Sequence, residues 1–109
     1  MGLEKLCACK AFEPIAILLL PFTGIQNSIL GANAGDALTD ADYNVAIGSF
    51  ALTADTKGGK NIAIGHSALG TQNLTSSTDI YNVAIGHQAG VAITTAGTNT
   101  IIGGLAGAT

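Results

Sequence analysis

The chain has 109 residues, of which 48% are hydrophobic and only 10% are charged, with 15 glycines and no tryptophan. This length allows one domain at most, and the small residues favour thin coils over a bulky two-layer core. The net charge is −3, and the four basic residues are all lysines. Because phosphate backbones and anionic membranes require clustered Lys or Arg, the composition argues against both as partners.

Residues 1–22 differ in composition from the rest and are predicted to be a separate, non-repeat segment. Its apolar run, Ile15–Leu20, is much shorter than the ~20 residues of a membrane-spanning helix, so no membrane span is predicted. Three interpretations stay open: a cap on the first coil, a signal peptide, or a poorly ordered or non-native leader. Cys7 and Cys9 are predicted to be reduced or intermolecular, because two thiols alone cannot complete a zinc site.

Residues 23–109 are predicted to form one repeat domain. They contain NVAIGSFAL, NIAIGHSAL, NVAIGHQAG and two weaker copies of the same phrase. The copies begin at Asn27, Asn44, Asn61, Asn82 and Asn99. The steps between them are 17, 17, 21 and 17 residues, and the long step holds a predicted surface-loop insertion within Leu74–Tyr81. Repetition at a near-fixed period indicates a structural unit, here termed a rung, rather than a catalytic motif.

Equivalent positions of the rungs carry the same residue types. The fifth position is always glycine: Gly31, Gly48, Gly65, Gly86 and Gly103. The eighth position is always alanine: Ala34, Ala51, Ala68, Ala89 and Ala106. The second and fourth positions are mostly aliphatic and share one face of an extended strand, because strand side chains alternate. The glycines fit a corner that needs a positive φ or a close backbone approach.

These columns predict an all-β fold, a parallel β-roll or β-solenoid of about five 17-residue coils. Stacking would place Ile on Ile and Ala on Ala in ladders about 4.8 Å apart. The leading asparagines have two interpretations: an inward ladder of amides bonded along the stack, or turn residues that cap local backbone groups. One thin coil cannot bury its own apolar face, which favours an oligomer.

Four side chains are candidate surface contacts. His66 and His87 share the position after the corner glycine, so they should lie one above the other. In a trimer, six imidazoles could then surround a metal or anion site, whereas the alternative is a position that tolerates any residue. Tyr43 and Tyr81 occupy equivalent places before an asparagine. They either contact sugars or cap the edge of a coil.

No catalytic site, metal site or cofactor site is predicted. The five aspartates after the leading segment fall in turns and are predicted to be solvated: Asp36, Asp40, Asp42, Asp55 and Asp79. The stretch Thr56–Asn61 lacks the order of a phosphate-binding loop and is predicted to be a turn. A nucleophile elbow is also absent from the sequence. The chain is therefore predicted not to be an enzyme.

The repeated phrases, with GTN and GGKN before the next copy, resemble the head repeats of trimeric autotransporter (YadA-like) adhesins. They resemble even more the related repeats of phage and marine-virus tail fibres, and the likeness covers Thr23–Thr109. It implies a left-handed parallel β-roll in which three chains pack side by side into a stiff shaft. It also implies that the aliphatic positions fill the coil interior: Val45, Ile47, Ile62, Ile64, Val83 and Ile85.

Two departures from the adhesin pattern stand out. The period exceeds that usual in adhesins, which favours a fibre, and no coiled-coil stalk, membrane anchor or chaperone domain follows Thr109. The ending in mid-pattern suggests a fragment, or a subunit that polymerises end to end.

The function expected from the sequence is therefore mechanical. The chain would be a non-catalytic structural or adhesive module of a homotrimeric fibre on a virion, outside the cell or at the cell surface. Its partners would be copies of itself and a host-surface glycan or protein. The alternative is a carbohydrate- or receptor-binding fibre domain. A transferase on a left-handed β-helix is disfavoured, because 17 is not a multiple of that fold's six-residue period.

Overall fold

A computed structural model of the chain describes residues 26–109, which form a parallel β-solenoid of about four turns without a helix. The all-β solenoid expected from the repeat is thus confirmed. The predictions for residues 1–22, including those for Cys7 and Cys9, lie outside the described residues.

Within residues 26–109, seven short strands make two parallel sheets. The strands are β1 (Ser28–Leu30), β2 (Val45–Ile47), β3 (Gly58–Gly59), β4 (Ile62–Ile64), β5 (Thr78–Asp79), β6 (Val83–Ile85) and β7 (Thr100–Ile102). One sheet has the order β1-β2-β4-β6-β7, and β3 pairs with β5 in the other. The five strands of the larger sheet are joined by four turns, so the described residues hold about four coils where about five were expected. The stretch Thr56–Asn61, which was expected to be a turn, contains β3.

Equivalent positions of successive rungs are paired in the larger sheet. Ala63 of β4 is aligned with the third-position alanines of β2 and β6, and Ile64 is aligned with their fourth-position isoleucines. The predicted ladders of Ile on Ile and Ala on Ala are therefore confirmed. The longer step does not disturb this register, because its additional residues lie in the loop that carries β5.

The coil interior is narrow and lined mainly by alanine. Seven third-position and eighth-position alanines are fully buried and belong to one cluster: Ala34, Ala46, Ala51, Ala63, Ala68, Ala84 and Ala89. Three buried leucines, Leu38, Leu52 and Leu69, belong to the same interior. Because interiors are close-packed, two alanine columns leave little room for larger side chains in the three inner rungs, whereas the two terminal rungs have Ile29 and Ile101 at the third position, packed against the same cluster.

The expectation that the Val and Ile positions fill the coil interior is wrong. The three valines and isoleucines at the second position, Val45, Ile62 and Val83, are only half-buried. The fourth-position side chains point the same way, and Ile47 is 36% exposed. The cause is strand alternation: where the third-position alanine faces inward, its two neighbours face outward.

The leading asparagines form the inward amide ladder, one of the two arrangements considered for them. Asn44, Asn61 and Asn82 are fully buried. Each backbone N–H of Asn44, Asn61, Asn82 and Asn99 donates to Oδ1 of the asparagine one rung earlier, at 2.9–3.1 Å. The amide nitrogens also reach across the coil; that of Asn44, for example, donates to the carbonyl of Gly58 at 2.8 Å. The ladder thus joins rungs, and the amides of Asn27, Asn44 and Asn82 also close their own coils.

The fifth-position glycines meet both conditions expected of the corner. All five have φ between 121° and 133°, a region that other residues rarely adopt. Successive corners also touch: a Cβ added to Gly48 would lie 2.7 Å from the carbonyl carbon of Gly65. Because backbone occupies that space, a side chain there would push two rungs apart.

Replacing Gly48 with alanine should therefore destabilise the fold strongly. We expect Gly48→Ala to lower the free energy of unfolding by about 2–5 kcal/mol, from the left-handed backbone together with overpacking. Thermal and urea unfolding at one fixed protein concentration measure this change in the free energy of unfolding. Gly104→Ala is the matched control, because Gly104 lacks a positive φ and a Cβ there would meet nothing within 4 Å. Equal losses in both variants would contradict the close approach of the corners.

Removing one amide from the ladder should also be costly. Asn61→Ala leaves the backbone N–H of Asn82 without its acceptor and removes the bond from Asn61 Nδ2 to Asn44 Oδ1. We expect a loss of about 2–3 kcal/mol in the free energy of unfolding, since buried polar groups are left unpaired. Asn73→Ala, at an exposed position whose Oδ1 accepts only from Thr56 Oγ1, should cost about 0.5 kcal/mol or less. An Asn61→Ala variant as stable as the control would show that the ladder is dispensable.

Candidate functional site

The outward face of the larger sheet is an apolar surface that runs across all five strands. We call it the apolar strip, and it consists of Leu30, Val45, Ile47, Ile62, Ile64, Val83, Ile85 and Ile102. Its side chains range from half-buried to the 66% exposure of Ile102. Ser28 and Thr100, both exposed, are the polar members of the second-position column. One chain therefore leaves two columns of mainly aliphatic side chains partly exposed.

An aromatic cluster follows the apolar strip along the chain. The imidazoles of His66 and His87 stack with ring centroids 5.1 Å apart and planes 13° apart, as their shared column predicts. Phe50, one rung earlier, lies with its ring edge-on to His66, at 6.0 Å between centroids. Both imidazoles are exposed.

The stacking bears on the metal site that the sequence left open. Zinc binds a histidine nitrogen at about 2.0–2.1 Å, in the plane of the ring. The planes of His66 and His87 are almost parallel and well separated, so the pair does not aim two nitrogens at one point. Within residues 26–109, no group of three or more His, Cys, Asp or Glu side chains is placed to hold a metal ion.

A second column of side chains, from the residues just before the leading asparagines, precedes the apolar strip along the chain. Lys60 lies between the two candidate tyrosines, with Nζ 5.7 Å from the ring centroid of Tyr43 and 5.5 Å from that of Tyr81. All three residues are in the left-handed region, with φ of 59–61°. Lys60 Nζ also donates to Asp79 Oδ2 at 2.9 Å. That hydrogen bond, followed by the attraction of the two charges, raises the pKa of Lys60 above its ordinary value. The ammonium therefore links the two tyrosines, which the sequence could only place in equivalent positions.

A small polar pocket adjoins this column. It has a volume of about 150 Å³ and lies where the insertion loop packs beside the turn of an earlier rung. Its lining consists of Asp40, Asp42, Lys57, Gly59, Ser77, Thr78 and Asp79. Ser77 Oγ donates to Asp40 Oδ2 at 2.6 Å and thereby ties the loop to the earlier turn. The pocket and the exposed Tyr81 thus share the short segment that carries β5.

The expectation that the aspartates are solvated is wrong for Asp55, which is fully buried. Its carboxylate accepts hydrogen bonds from the side-chain amide of Gln72 at 2.6 Å and from the backbone N–H groups of Gly58 and Leu74. A buried carboxylate is tolerated where such donors satisfy it. Asp55 therefore fixes the start of the insertion loop. The 17-residue spacing from Asp55 to Gln72, one full period, was the signal in the sequence that could have revealed this pair.

The structure distributes the candidate residues over three surfaces. The histidines follow the strip, the tyrosines precede it, and the loop from Leu74 to Tyr81 is largely exposed. The asparagine, glycine and alanine columns hold the fold together. Residues 26–109 also contain no helix that is long and apolar enough to cross a membrane.

Comparisons with protein families, with curated proteins and with solved structures found no match to this chain. Its function is therefore inferred from the arrangement of its own residues.

Proposed function

We propose that this chain is a non-catalytic structural or adhesive module of a homotrimeric fibre, either a viral tail fibre or the head of a cell-surface adhesin. In this proposal the solenoid is left-handed, the strips of three chains face one another, and the fibre stands on a virion or outside a cell. The observation that supports it best is the apolar strip, which a single chain leaves partly exposed.

The chemistry of the strip favours a second copy of the same chain as its partner. Burying one Val or Ile side chain contributes roughly 1.5–3 kcal/mol, and monomeric proteins rarely leave a large contiguous apolar patch open. The strip contains no charged side chain that would select a partner of opposite charge. Its residues recur once per rung, so a parallel copy presents the same residues at the same spacing. Three such strips around one axis would cover each other.

The hydrogen bonds of the turns support a stiff rod. Beyond the sheet, the backbone N–H of Phe50 donates to the carbonyl of Ala32, that of Ser67 to Ser49, and that of Gln88 to His66, at 2.8–2.9 Å. Each rung is thus bonded to the next on the sheet side and on the turn side. A rod of this kind suits the display of a surface loop, here the segment from Leu74 to Tyr81.

The solution mass of the full chain tests the proposal. We expect sedimentation equilibrium at low micromolar concentration to give the mass of three chains. Ile64→Asp places a charge in the middle of the strip and should shift the mass toward one chain, because an unpaired charge is costly to bury. Thr95→Asp, at an exposed turn position, is the matched control and should leave the mass unchanged. Circular dichroism verifies that both variants fold. A folded native monomer would overturn the trimeric fibre.

A carbohydrate- or receptor-binding fibre domain is the second candidate. It is favoured by the exposure of the tyrosine rings, 47% for Tyr43 and 51% for Tyr81, beside a polar pocket lined by carboxylates and hydroxyls. Aromatic faces next to hydrogen-bonding groups are suited to sugar rings.

A glycan array probed with the full chain tests this second function. We expect binding that Tyr81→Ala weakens about tenfold or more, a loss that corresponds to roughly 1.4 kcal/mol. Phe50→Ala removes an aromatic side chain of similar exposure, 43%, that follows the apolar strip instead of adjoining the pocket, and should bind like the native chain. Equal losses in the two variants, or no binding at all, would count against a glycan site at the pocket.

A further inference from the structure

The chain has only two histidines, and the fold stacks them on each other. His66 and His87 are separated by 21 residues in sequence, yet their ring centroids are 5.1 Å apart. Each imidazole is two residues beyond a strip isoleucine, Ile64 or Ile85, so it lies within about 7 Å of the strip along the backbone. The two histidine side chains therefore lie together at the border of the proposed interface.

Within residues 26–109, the rung positions around the pair carry no charged side chain that could compensate an imidazolium. From the fourth to the eighth position of the described rungs, the histidines are the only ionisable residues. The positions before and after them in the same column are Ser49 and Gly104. The described aspartates and lysines belong to the other turns, with Asp79 bonded to Lys60 and Asp55 enclosed by the Gln72 network. The nearest aromatic contact, Phe50, is uncharged.

Protonation would place two like charges in this stack. Histidine is the side chain that ordinarily changes charge between about pH 5 and 8, whereas carboxylates and lysines keep theirs over most of that range. Two imidazolium groups repel one another across 5.1 Å, and the repulsion grows when water is removed from around them. Covering the strip with another chain removes such water. The neutral pair is thus compatible with association, and the charged pair opposes it.

We propose that association through the apolar strip is proton-linked: chains assemble when His66 and His87 are neutral and separate when both are protonated. This inference rests on the proposed fibre function, since it names what regulates the same surface. The direction of the pH dependence follows from the charges. Lowering the pH adds positive charge to the border of the interface, so assembly is favoured near pH 8 and lost toward pH 5.

Sedimentation equilibrium of the full chain near pH 8 and near pH 5 tests the inference. We expect the association constant to fall by about tenfold or more at the lower pH. The double variant H66Q/H87Q keeps side chains that cannot be charged and should associate equally at both pH values. The double variant H66K/H87K carries the charges permanently and should associate weakly even near pH 8. Ser49→His adds a third imidazole to the column and should steepen the pH dependence.

The outcomes separate this inference from the proposed function. A trimer near pH 8 that separates near pH 5 only when the histidines are present supports both. A trimer equally stable at both pH values overturns the proton linkage and leaves the fibre intact. Loss of association at low pH in H66Q/H87Q as well would assign the effect to other groups and overturn the role of the pair. A monomer at both pH values overturns the proposed function and this inference with it. Circular dichroism at each pH confirms that every variant is folded.

Discussion

The column of buried asparagine amides determines the rest of this structure. Each Oδ1 accepts the backbone N–H of the next asparagine, so the first position of every rung must face the coil interior. Strand side chains alternate. The third position therefore also faces inward, and the second and fourth positions face outward. The narrow alanine interior, to which Ala63 belongs, and the half-buried, outward-facing Ile64 beside it are two consequences of one constraint.

A narrow interior limits how much stability one chain can obtain from burial. Alanine buries little apolar surface, and the additional stabilisation comes from contacts between rungs: the amide ladder, the backbone bonds of the turns, and the meeting of corner glycines such as Gly48 and Gly65. Most of the larger aliphatic side chains of the strands are on the outside, where a single chain buries them only in part. The same alternation that closes the coil thus leaves part of their hydrophobic stabilisation unused within one chain.

The spacing of the repeat was sufficient to predict the solenoid, the register of the strands and the glycine corners, because residues one period apart lie against each other when coils stack. The inward direction expected for the valine and isoleucine face was wrong, since an alternating pattern identifies two faces without saying which one is covered. Asn61 and Ala63 are two residues apart and therefore face the same side of the strand, so the direction of the asparagine would have given the direction of both faces. The sequence did not show that the amide faces inward. Ring contacts, such as Lys60 between two tyrosines, depend on side-chain conformations that no spacing encodes.

Positions that the fold leaves free are where this chain differs from rung to rung. The first, third, fifth and eighth positions are constrained by the amide ladder, the interior and the corners. The side chains of the sixth position and of the residue before each asparagine are not, although the backbone before each asparagine is left-handed, with φ of 58–61°. Variation in these free columns still has a spatial consequence, because the stack places each new side chain against its equivalent one rung away. A histidine introduced twice becomes a stacked pair, and a lysine introduced between Tyr43 and Tyr81 becomes a bridge. In a solenoid of this kind, chemistry can therefore evolve column by column without disturbing the rungs that carry it.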